Sequence, residues 1–123
     1  MEKRKPVESY RDLEVWQRGI DLVEHVYHLT EHFPPEETYG LSAQLRRAVV
    51  SISSNIAEGW GYSSTKQYIH YLEQARSSLM EVETQMLIAE RLGYISSDSC
   101  SALLQETEIE SKMLLSLIRA LNR

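Results

Sequence analysis

The sequence predicts an all-α fold, an antiparallel up-down-up-down four-helix bundle, from three observations. Apolar residues recur every three or four positions along four stretches, the period of one helix face. Most of the three prolines and five glycines stand where those stretches break. Each stretch runs for roughly 20–29 residues, about 30–43 Å of helix at 1.5 Å per residue, and short links join them. A single domain over residues 1–123 follows, with residues 1–8 expected as a flexible N-terminal segment.

The first helix should start at Asp12, or at Ser9, and run to about His32, where Pro34 and Pro35 cannot donate ladder hydrogen bonds. The second takes Pro35 into its first turn, sets Glu36 and Glu37 at its positive dipole end, and continues to Glu58. Gly59 and Gly61 mark its exit. Ser64 caps the third, with Gln67 three residues on completing a capping-box pattern. That helix should reach Leu92 and stop at Gly93, with Tyr94 or Ile95 folding back. Ser97 or Asp98 opens the fourth, which continues almost to the C-terminus. Core stripes are expected at Leu13, Trp16, Ile20, Val23 and Tyr27, then at Leu41, Leu45, Ala48, Val49, Ile52 and Ile56. The third helix offers Tyr68, Leu72, Ala75, Leu79, Val82 and Met86. The fourth offers Leu103, Leu104, Thr107, Leu114, Leu117, Ile118 and Leu121.

The first helix carries a second apolar stripe, Val15, Leu22, Val26, Leu29 and Phe33, with Gly19 inside the same arc. Two stripes are too wide for one narrow core-facing seam: either the core is simply thick, or, as favoured here, this stripe meets a second copy of the chain, Gly19 allowing close backbone approach. Ile69, Met80 and Leu87 form a smaller stripe off the core face of the third helix.

Charge and composition narrow the function. The formal net charge is −5, which opposes indiscriminate binding to polyanions. Residues 21–40 hold five acids and no Lys or Arg. A lone Cys100 cannot form an internal disulfide and fits a reducing compartment. Neither a signal-peptide pattern nor an eighteen-residue apolar run is present, so the expected location is the cytoplasm, away from membranes.

The run from Phe33 to Gly59, FPPEETYGLSAQLRRAVVSISSNIAEG, resembles the four-helix-bundle proteins encoded in intervening sequences of bacterial large-subunit ribosomal RNA genes. The likeness extends back to Leu13-Glu14-Val15-Trp16-Gln17. It extends forward through Tyr68, Ala75-Arg76-Ser77-Ser78, Glu81 and Leu92-Gly93-Tyr94-Ile95. The resemblance implies a bundle assembled as a ring-like homopentamer, with a link to nucleic acid, since related accessory proteins of diversity-generating retroelements look like basic pentameric barrels. This chain departs from those basic relatives: five copies at −5 each carry −25, which repels polyanions unless basic groups cluster.

Arg47, Ser51, Ser54 and Glu58 fall on one face of the second helix, with Asn55 and Gln44 beside it. A polar recognition strip would use Arg46, Arg47, Lys66 and Arg76 as phosphate contacts. The structural alternative gives Ser51, Ser54, Asn55, Glu58 and Glu81 architectural roles: small serines permit close packing and Asn55 fixes helix register. A hairpin closing near Gly59–Tyr62 brings Glu58 near Lys66 and Arg47 near Glu73. His25, His28 and His32 share a polar face of the first helix and are read as solvated rather than metal-binding. No Glu-x-x-His pair, phosphate loop, nucleophile elbow or paired-cysteine site occurs, so no catalytic residue, metal or cofactor is expected. Arg18 and His25 match the Arg-x4–6-His spacing of HEPN-type RNases, which makes that the remote enzyme alternative. The leading expectation is a non-enzymatic oligomeric scaffold or accessory protein that contacts RNA, DNA or a protein partner. A purely structural interaction module is the alternative.

Overall fold

The computed structural model describes residues 6–123, so the flexible reading of residues 1–8 lies, for residues 1–5, outside the described residues. Four helices follow in order: α1 (Glu14–Thr30), α2 (Leu41–Trp60), α3 (Thr65–Arg91) and α4 (Ser97–Leu121). Each packs on its neighbour in the chain and α4 closes back on α1, which makes the four-helix bundle that the periodicity predicts. No strand occurs among the described residues.

Local chemistry sets most helix ends. Ser64 Oγ accepts the Gln67 N–H at 3.3 Å and starts α3, as expected. Gly93, at φ +81°, ends it: its own N–H reaches Glu90 O and the Tyr94 N–H reaches Ala89 O, the paired bonds of a Schellman turn. Ser96 caps α4 through the Ser99 N–H, one residue before the expected start. Ser9 caps a separate 3₁₀ turn, Tyr10–Asp12, and Leu13 is extended before α1 begins.

The second helix departs from expectation. Pro35–Glu37 forms its own 3₁₀ turn, and Gly40, at φ −109° and ψ −114°, interrupts the helical path before Leu41. Glu37 does not sit in the first turn of α2. It reaches back from outside, and its Oε1 accepts the Leu41 N–H at 3.0 Å. Its other oxygen accepts the Tyr94 hydroxyl at 2.8 Å, and Tyr94 also packs on Phe33, with ring centroids 5.5 Å apart. The two loops at this end of the bundle are thereby tied together. Both hydrogen bonds stabilise the Glu37 carboxylate and lower its pKa.

The α2–α3 hairpin is also in a different register. Ser51 Oγ meets Ser78 Oγ at 2.6 Å and Gln85 donates to Gln44 at 3.4 Å. Arg47 therefore lies beside Glu81, about two turns further along α3 than the expected Glu73. The cause is Gly59, which nests under Tyr68 and Tyr71: a Cβ there would stand 2.8 Å from Tyr71 Cβ and 2.9 Å from the Tyr68 ring.

The core contains Leu45, Val49, Ile52 and Ile56 of α2, Leu72, Leu79, Val82 and Met86 of α3, and Leu103, Leu114 and Ile118 of α4, all buried as the stripes predict. In α1 both stripes meet the core, Leu13, Trp16 and Val23 at its margin and the second stripe more deeply. Val15, Gly19, Leu22, Val26 and Phe33, assigned above to a contact between copies, are buried in the chain's own core, and Leu29 packs half-buried against it. Trp16, Ile20 and Val23 are only partly buried, and Tyr27 is exposed. The reason is Gly19, the one position of α1 at which α2 and α4 approach without meeting a side chain: a Cβ would overlap Ser53 Oγ and lie 3.3 Å from Glu110 Oε2.

Two neighbouring glycines should respond oppositely. Gly59→Ala forces Tyr68 and Tyr71 apart and should cost about 1–3 kcal/mol. Gly61, at φ −70° with room for a methyl group, should accept Ala with no loss and a gain of up to about 1 kcal/mol. Urea midpoints of the two variants check the contrast.

Candidate functional site: an open apolar face and a buried carboxyl

The four candidate phosphate-binding cations have different surroundings. Arg46 is docked inside its own chain: its guanidinium lies 4.4 Å over the Tyr27 ring, and Nε donates to Thr30 Oγ1 at 2.9 Å. Arg76 pairs with Glu73 at 3.3 Å. Arg47 lines an open pocket with Gln44, Ala48, Ser51 and Glu81, so an acid already faces it. Lys66 stands exposed in the first turn of α3. Arg47 and Lys66 lie nineteen residues apart in sequence, on different helices.

Among the architectural candidates, Ser51 bridges α2 to α3. Asn55 does not fix register between helices, because its amide donates to Ser51 O within α2 at 2.8 Å. Ser54, Glu58 and Glu81 are exposed. Of the histidines, His25 Nδ1 meets Glu106 at 2.8 Å, while His28 and His32 are exposed. Among the described residues no group of three or more His, Cys, Asp or Glu is placed to hold a metal ion.

What the bundle leaves open is the outer face of α1 with α2. Tyr10, Trp16, Ile20 and Val23 on one side and Val50, Ser53, Ser54 and Ala57 on the other line a groove of about 310 Å³. Its walls are aromatic and aliphatic apart from two serines and the tyrosine hydroxyl. A second apolar surface lies on α3, where Met80, Leu87, Ile88 and Leu92 are exposed and Thr84, Glu90 and Arg91 help shape a pocket of about 400 Å³.

The α1–α4 seam is different. Glu110 is 0% exposed, and neither carboxyl oxygen has a hydrogen-bond partner. It sits against Gly19 of α1, beside Ser53 of α2, whose hydroxyl donates to Trp16 O at 3.4 Å. Burial raises its pKa to about 8; Arg18 opposes the rise, while Asp21 and Glu14 add to it. Arg18 and Asp21 also line a small cavity of about 60 Å³ with Leu22 and Glu106. The Arg18–His25 pair of the RNase alternative thus shares its seam with Asp21 and Glu106. Those carboxylates repel phosphate, and one of them already engages the imidazole. Glu110 escaped the sequence reading, yet its signal was present: it falls between Thr107 and Leu114 at helical spacing, within the buried stripe of α4.

The sequence profile described as 23S rRNA-intervening sequence protein matches residues 11–116. A comparison with curated protein sequences returned no match. Among solved structures, the chain is similar to a protein of unknown function from the S23 ribosomal protein family of Bacteroides thetaiotaomicron, with a TM-score of 0.79 and 22% identity. The alignment covers 85% of this chain and 97% of that one, and at this identity it speaks for the fold.

The buried carboxyl makes stability depend on pH. Its pKa is raised in the folded chain, so folding retains a proton that the unfolded chain releases above about pH 4.5. Its contribution is complete below that pH and declines as pH rises, until it is lost at about pH 8. The decline should amount to a few kcal/mol. Glu110→Gln should flatten it, as read from urea midpoints between pH 5 and 9.

Proposed function

We propose that this chain, which belongs to the 23S rRNA-intervening sequence protein family, is a scaffold that works by assembling copies of itself. The observation that carries the reading is the apolar groove of α1 and α2, left open after the core has closed. Trp16 and Val23, packed partly buried against the core, and Ile20 continue the apolar circumference of α1 to its outer side, and a face of this kind is stabilised when another surface covers it. The exposed apolar patch on α3 is a different surface. Two unlike patches on one subunit suit a head-to-tail contact, which closes into a ring when the rotation allows it. A ring of five, and kinship with retroelement accessory proteins, belong to this proposal through the sequence resemblance. Such a scaffold turns over no substrate, and the acids that flank Arg18 and His25 support that part of the reading.

Contact with RNA or DNA is a second reading, favoured by the exposure of Arg47 and Lys66. Assembly could repeat these two cations around a ring, although each copy also brings a net charge of −5. Any polynucleotide held in this way should bind with a steep salt dependence.

Ile20→Glu should lower the native mass toward that of one 14.2 kDa chain while leaving the helical circular dichroism unchanged. Leu22→Glu should unfold the chain, because Leu22 is in the core. An Ile20→Glu protein that keeps the wild-type mass would move the contact away from α1. In fluorescence anisotropy with structured RNA at low salt, Arg47→Glu with Lys66→Glu should weaken binding severalfold and flatten the salt slope. Absence of binding by the wild type would remove the nucleic-acid reading and leave the scaffold.

A further inference from the structure

The interior of this bundle is mainly apolar except at a few polar positions, and among the described residues Glu110 is the buried acid. Its surroundings are built around it. Gly19 leaves α1 without a side chain where the carboxyl lies, although a mid-helix glycine costs about 1 kcal/mol relative to alanine. Ser53 supplies a small hydroxyl from α2 on the same spot. A leucine at position 110 and an alanine at position 19 would make an ordinary core; this chain has a carboxyl with two unpartnered oxygens instead.

We propose that Glu110 is a proton-operated latch on α1: the neutral carboxyl seats in the space left by Gly19, and loss of its proton to water loosens α1 from α2 and α4. Every packed element contributes to the balance. From α1, Glu14 and Asp21 repel the ionised form and Arg18 attracts it. From α2 comes only the neutral Ser53 hydroxyl. On α4, Glu106 one turn earlier is held by His25 of α1. On α3, Glu83 is held by the Thr107 hydroxyl at 2.8 Å. Ionised Glu110 therefore finds one attractive partner, Arg18, at the edge of the seam. That one attraction does not offset the burial of the charge, so the carboxylate gains its hydration only when α1 lifts away and water enters the seam, in a local opening of the kind that precedes global unfolding. The latch is a property of one chain and stands independently of assembly.

The test is native-state amide exchange at residues 19–27 of α1 and in central α3, corrected for intrinsic exchange, together with a carbon-13 titration of the Glu110 carboxyl. The closed form binds the proton at about pH 8 and the open form near the ordinary 4.5, so α1 opening should increase about tenfold per pH unit between pH 5.5 and 7.5. Opening of α1 should also depend less on denaturant than exchange in α3. In Glu110→Gln the slope of α1 should vanish. Three results would overturn the latch: α1 and α3 amides exchanging in one global event, the same slope in Glu110→Gln, or wild-type Glu110 titrating in the ordinary carboxylate range. The last is read on the unmodified chain, so it decides even if the variant folds poorly.

Discussion

The approach of α1 to α2 and α4 at Gly19 governs the rest of the molecule. A Cβ at this position would overlap Ser53 Oγ, so no other residue lets α1 lie where it does without a shift of its neighbours. That contact fixes the rotation of α1. With Gly19 inward, Val15, Leu22 and Val26 follow it into the core by helical spacing. Trp16, Ile20 and Val23 are carried to the outer side, where they meet Val50 and Ala57 of α2 in an open groove. One missing side chain thus determines both what the chain buries and what it offers.

The same contact brings Glu110 into the core. A carboxyl can stay there only in its neutral form or with a hydrogen-bonded partner, and neither of its oxygens has one, so the proton is favoured. The other polar groups behave differently. Arg46 is folded onto Tyr27 and Thr30, Arg76 is paired, and Glu37 ties two loops. On the polar strip of α2, Ser51 and Gln44 bond to α3, while Arg47, Ser54 and Glu58 remain exposed.

Some features were legible in the sequence because their causes are local. Ser64 and Gly93 mark the ends of α3 through hydrogen bonds spanning a few residues, and the stripes of α2, α3 and α4 are apolar on one side only. The rotation of α1 was not legible, because both of its stripes are apolar and the choice between them is made by residues 34 and 91 positions further along, Ser53 and Glu110. Pro35 and Glu37 suggested a helix start, but the backbone of Gly40, five residues after Pro35, decides it. The hairpin register depends on two tyrosines closing over Gly59, a matter of shape that periodicity does not encode. The family resemblance, carried by residues 33–59 and their flanks, pointed to the right fold.

A hydroxyl-radical footprint of the unmodified chain across a dilution series tests most directly whether the outer face of α1 meets a second copy. Trp16 should be protected at high concentration and become more reactive on dilution, while Trp60, packed on Tyr68 at the hairpin end, stays constant as an internal reference. Trp16 reactivity that is high and unchanged at every concentration would mean that no second copy covers this face.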